Sequence, residues 1–154
     1  MPSIAATLAT LLVLPLAGLA VSPAQADDIP NLVGEWHGTY NTLVYHDNGT
    51  HIGSATMVLT ISRQEGELIF ASHTWELHED NSGQPDVAGE AVRGGDETLI
   101  GVVEFDDDDI TLLETHDNGI FELELERRNV MEGIYHEQGH HEATIFRVRL
   151  TRQN

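Results

Sequence analysis

Four side chains stand out as candidates for holding a small molecule. On one stretch Trp36 and Tyr40 alternate with Gly34 and Gly38, and on another His73 and Trp75 alternate in phase with Ile69, Ala71 and Leu77. In a β-strand such spacing puts each set on one face. Rings beside residues with little or no side chain line a wall against which something fits, and an imidazole supplies a polar handle in an otherwise apolar cavity. Each set also has a plainer role: Trp36 as the plug of a core, Trp75 as ordinary packing, and His73 as a hydrogen-bonded core histidine.

The nine histidines suggest a second chemistry. His136 and His140 straddle a Gln138-Gly139 turn next to His141, with Glu137 and Glu142 close by. Imidazole and carboxylate together suit a borderline metal such as zinc or copper. The same residues also read as solvated turn polars. Asp106 to Asp109 offers hard oxygens to calcium but lacks the spacing and glycine of a dedicated calcium loop. Asn48-Gly49-Thr50 matches a glycosylation acceptor by chance composition. No nucleophile elbow, phosphate-cradling glycine loop or zinc-protease pair is present. Acid–base work would fall to Glu35, Glu76, Glu104 or Glu114 if any of them is buried. No cofactor is called for.

The elements that must position these groups are strands. Period-two alternation runs from Leu32 to the end, and no window after the N-terminal stretch is helical. Candidate strands cover 33–45, 54–62, 67–78, 87–93, 98–105, 110–115, 120–126, 130–136 and 142–151. Turn chemistry separates them at Asp47-Asn48-Gly49, Gln64-Glu65-Gly66, Gly94-Gly95-Asp96, Asp117-Asn118-Gly119 and Gln138-Gly139. Phe121, Leu123 and Leu125 alternate with Glu122, Glu124 and Glu126, so one face is core and the other is solvated. Amphipathic strands without a covering helix must close on themselves. The expectation is therefore an all-β antiparallel meander forming a small barrel of about eight strands, with 87–93 short or outside it. A count of nine strands would place His46, His51 and His78 at one end and His116, His136, His140 and His141 at the other.

Leu32-Val33-Gly34-Glu35-Trp36-His37-Gly38-Thr39-Tyr40, followed by a meander, resembles the opening of calycin-type barrels, the lipocalins and avidins. With Leu59-Thr60-Ile61 through Glu65-Gly66 to Thr74-Trp75, and the closing Phe146-Arg147-Val148-Arg149-Leu150, the chain is similar to uncharacterised exported bacterial proteins. That resemblance implies a ligand-holding barrel.

Met1 to Val21 carries no charged side chain, contains the apolar run Leu8 to Leu14, and leads to Ala24-Gln25-Ala26 before Asp27. Only small side chains enter the −3 and −1 pockets of a signal peptidase, so residues 1–26 read as a removed signal peptide and 27–154 as one β-barrel domain in the periplasm or outside the cell. The chain has no cysteine, which rules out disulfides and thiolate chemistry. Its net charge is −19, and all seven basic residues are arginine. Such a polyanion is repelled by nucleic acid and anionic lipid, and it suits salty surroundings, where self-repulsion is screened. No membrane span is expected in the mature chain, and oligomeric state is not legible. The functional expectation is a non-enzymatic binder of a small, partly apolar molecule. Its alternatives are a filled barrel serving as an interaction platform, or a barrel enzyme of isomerase or hydrolase type.

Overall fold

The computed structural model describes residues 29–47, 49–78, 94–104 and 108–153, the side chain of His51 excepted. Eight strands follow one another: β1 (Gly34–His46), β2 (Gly49–Glu65), β3 (Leu68–Leu77), β4 (Gly94–Val103), β5 (Asp109–Glu114), β6 (Ile120–Arg127), β7 (Val130–Gln138) and β8 (Glu142–Arg152). Each pairs antiparallel with the next, and β8 pairs back to β1, closing the barrel. Closure removes every free edge, so the sheet needs no covering layer. No helix among the described residues is long and apolar enough to cross a membrane.

Alternation decides the interior. Trp36 on β1, Met57, Leu59 and Ile61 on β2, Ile69 on β3, Leu99 on β4, Ile110 and Leu112 on β5, Phe121 on β6, Met131 on β7 and Leu150 on β8 are all buried almost completely. Burying side chains of this size contributes about 1.5–3 kcal/mol each, and these residues form one continuous core. The β2–β3 hairpin turns at Gly66, whose φ of 61° lies in the left-handed region. A register shift between Ile61 and Arg63 against β3 swaps the inward parity of β2. Gln64 thereby points inward and ties down the N-terminal segment, accepting from Leu32 N at 2.9 Å and donating to Pro30 O at 2.9 Å.

That segment closes one end of the barrel. Fully buried Trp36 donates its indole N–H to Leu32 O at 2.9 Å, and the Arg152 guanidinium lies 5.4 Å from the indole centroid. Arg152 also donates to Asn31 O at 3.0 Å and to Val33 O. It does not alternate outward with Arg147 and Arg149, but faces this closed end.

Two expectations are corrected. Gly94-Gly95-Asp96 is not a turn but the start of β4, with Gly95 opposite Trp75 and Gly94 opposite Glu76. A side chain at Gly95 would collide with the Trp75 indole, so the ring occupies the volume a turn glycine leaves free. Second, β3 pairs directly with β4 in the eight-stranded barrel, so the histidine ends that follow from a count of nine strands do not hold. The parity of every later loop then reverses: His116, His136, His140 and His141 lie at the same end as His46, His51 and His78, opposite the Trp36 end. The 87–93 segment, residues 1–26 expected as a signal peptide, and Asp106 and Asp107 of the acidic run lie outside the described residues.

Candidate functional site

Polar groups enter the barrel at the end away from Trp36. His73 on β3 and Glu114 on β5 both face inward, with His73 Nε2 at 3.0 Å from Glu114 Oε1. The Tyr135 hydroxyl, on β7, donates toward the same Glu114 oxygen at 3.1 Å and toward Glu137 Oε2 at 3.1 Å. A single phenolic proton thus faces two carboxylates. Burial, then the charges of Glu114 and Glu137, push the Tyr135 hydroxyl far above its ordinary range, so it remains a donor. Burial first, then the nearby Glu114, Glu142 and Asp117, raise Glu137, against the lowering effect of the Tyr135 hydrogen bond. Glu97, which faces His73 across the β3–β4 register, is raised by desolvation and by Asp117 and Glu114.

Gly119 makes room for this cluster, because a side chain there would meet the Glu114 carboxylate and the Tyr135 hydroxyl. Beside it runs a ladder of rings. Tyr135 stacks on Phe146 at 4.7 Å and Phe146 on Tyr40 at 3.8 Å, each pair inclined by 17°, and Phe121 packs against Tyr135 at 4.6 Å. Burial alone pushes the Tyr40 hydroxyl well above its ordinary range.

Exposure grades along the interior. Residues around Trp36 are sealed, whereas the inward Val44, Trp75, Leu77, Glu97, Glu137 and Thr144 are only half-buried. Among the described residues the interior is thus more exposed toward the polar end. Two buried polar atoms there find no hydrogen-bond partner: His73 Nδ1 and Thr42 Oγ1, in residues 4% and 7% exposed. Buried polar groups are nearly always satisfied, so each such orphan calls for an account. With His73 Nε2 engaged by Glu114, Nδ1 is the ring nitrogen left without a partner.

The four lumen candidates all lie on inward faces but at two levels. Tyr40, His73 and Trp75 lie in the more exposed half, while Trp36 belongs to the closed end. Of the four carboxylates considered for acid–base work only Glu114 is buried; Glu35, Glu76 and Glu104 are exposed. Sequence reasoning missed Glu97, Tyr135 and Phe146 as site residues, and it set Glu137 beside the turn histidines rather than in the lumen. The available signal was a carboxylate falling in phase with the apolar face, as Glu114 does after Ile110 and Leu112, and Glu137 after Met131 and Tyr135.

His136 points outward, 3.9 Å from Glu122. His140 sits in the β7–β8 turn with its ring 6.1 Å from that of His141, and His141 Nδ1 lies 2.8 Å from Asp47 Oδ2. Among the described residues no three or more His, Asp or Glu gather to hold a metal. On the outer wall a shallow groove crosses β1 and β8, lined by Thr39, Asn41, Arg147 and Arg149, but both arginines there are engaged by Glu132.

No family model and no curated protein matches the chain. Among solved structures it is similar to EF1p2_mFAP2b, solved bound to DFHBI, at 11% identity over 75% of this chain and 92% of that one, with a TM-score of 0.48. It is also similar to the S-type phycobiliprotein lyase CPES from Guillardia theta, at 10% identity over 80% and 89%, with a TM-score of 0.45. Likeness at this level does not bear on what the lumen takes.

Proposed function

We propose that the protein is an exported, non-enzymatic binder that takes a small, partly apolar ligand into the open half of its barrel. The observation that carries this reading is the meeting, at the more exposed end, of a ring ladder with two buried polar atoms that have no partner. Rings supply apolar area, and a few convergent polar groups fix orientation. Tyr40, Phe146 and Trp75 flank the ligand; His73, Thr42 and Glu137 orient it; Trp36 forms the floor of the barrel and does not touch it. Export follows from the cleavage pattern before Asp27, and mass spectrometry of the secreted chain should find Asp27 as its first residue.

A titration followed by tryptophan emission tests the binding reading. Fatty acids, sterols, quinones and small aromatics, some bearing amino groups, are added to the protein. Entry of a ligand beside Trp75 removes water from its indole and should give a saturable blue shift or quench. A screen that leaves the signal unmoved contradicts the reading.

One observation favours a second reading, acid–base chemistry on the bound molecule: His73 and Glu114 form a buried imidazole–carboxylate pair. It requires turnover that His73→Gln abolishes while binding persists.

A further inference from the structure

The lining of the open half is one-sided in charge. Glu97 on β4, Glu114 on β5 and Glu137 on β7 face inward, and Asp117 and Glu142 act on them electrostatically from the β5–β6 turn and the start of β8. The facing bases are imidazoles: His73, tied through Nε2 to Glu114; His116, which acts on Glu97; and His46, whose Nδ1 lies 3.5 Å from Glu142. The chain has no lysine. Among the described arginines, Arg127, Arg128 and Arg152 are at the closed end, Arg63 lies over Phe70 on the outer wall, and Arg147 and Arg149 pair with outer-wall carboxylates.

The same half holds polar groups that lack partners of their own. One phenolic proton serves both Glu114 and Glu137, while Thr42 Oγ1 and His73 Nδ1 stand unpartnered on buried residues. Thr42 is opposite Phe146 in the β1–β8 register, beside the ring ladder. A carboxylate ligand would meet repulsion here, and a purely apolar ligand would leave the inward carboxylates uncompensated. An ammonium carries the missing charge, its N–H groups suit the carboxylates, and its organic body suits the apolar rings.

We propose that the ligand is an organic cation, a protonated amine on an apolar or aromatic body, with the ammonium against the half-buried Glu137, on the side away from the Tyr135 hydroxyl, and the body beside the Tyr40–Phe146–Tyr135 ladder. This rests on the binding reading above and names its ligand class.

Calorimetry with three matched probes tests it: phenethylamine, 2-phenylethanol and 3-phenylpropionate, in about 0.15 M salt so that the acidic outer surface is screened beyond roughly 8 Å. In parallel, the emission of Trp75 is followed in a Trp36→Phe background. The amine should bind saturably and at least about tenfold more tightly than the alcohol, with no binding of the carboxylate. Glu137→Gln should weaken the amine by about tenfold or more and leave the alcohol unchanged. Binding should also fade as pH drops and the carboxylates facing Glu137, namely Glu114, Glu142 and Asp117, take up protons together with Glu97 and Glu137 itself. In wild-type protein this last measurement stands even if the variant folds poorly.

If the alcohol binds as tightly as the amine and moves Trp75, the cation assignment is overturned and lumen binding survives. Amine binding that is undiminished in Glu137→Gln, or that leaves Trp75 unmoved, places the cation on the outer surface and also overturns it. No binding of amine or alcohol overturns the assignment; if the broader emission screen is silent too, the binding reading falls with it.

Discussion

His73 on β3 and Glu114 on β5 meet across the intervening strand, Nε2 to Oε1 at 3.0 Å, with side chains 4% and 3% exposed. A contact so buried is asymmetric in its energetics. Removing one partner strands the other, at a cost of about 3–5 kcal/mol, whereas replacing both with apolar residues of similar volume is often neutral. Glu114→Ala should therefore destabilise by about 3–5 kcal/mol, and the double variant His73→Leu, Glu114→Leu should recover most of that loss. Denaturant midpoints across the mutant cycle measure the coupling. Additive effects would mean the pair is not a unit.

Glu137 gives stability a pH dependence of definite sign. Its folded carboxyl is raised, chiefly by burial and then by Glu114, Glu142 and Asp117, so the folded state holds a proton that the unfolded chain releases. The contribution is full below the unfolded value of about 4.3 and is lost as pH rises through the folded value. Denaturation midpoints in molar NaCl, where surface repulsion is screened, should fall as pH rises above the ordinary carboxylate range, and Glu137→Gln should flatten that fall. An unchanged slope in the variant would contradict the assignment. At fixed pH 7 the wild-type midpoint should also rise from low to molar salt, because a chain of net charge −19 repels itself.

Trp36 separates folding from binding. Its indole is fully buried and hydrogen-bonded to Leu32 O, so Trp36→Ala should cost about 3–5 kcal/mol. The protein that remains folded should keep its ligand affinity. A large affinity loss with little loss of stability would move the site to the closed end.

The strands were legible where alternation is clean. Phe121, Leu123 and Leu125 against Glu122, Glu124 and Glu126 leave no second choice of face, and β8 reads equally well from Phe146 to Leu150. The start of β4 was not legible, because Gly94-Gly95-Asp96 has the chemistry of a tight turn and only the Trp75 ring opposite shows why glycine stands there. The site was legible in part for a similar reason. An aromatic or histidine in phase with an apolar face announces itself, as Tyr40, His73 and Trp75 do, whereas a carboxylate in phase reads as the strand's end. Glu114 and Glu137 acquire meaning only when β3, β5 and β7 bring His73 and Tyr135 beside them. The histidine loops depended on strand parity, which the direct β3–β4 pairing decides and local sequence does not.

Where the ligand sits is read most directly by amide chemical-shift mapping during titration with phenethylamine. The account predicts saturable shifts at Thr42, His73, Trp75, Glu114, Tyr135 and Glu137, with the amides of Trp36, Leu59 and Leu150 unmoved. Shifts confined to the closed end, or to Thr39, Asn41, Arg147 and Arg149 on the outer wall, would contradict it.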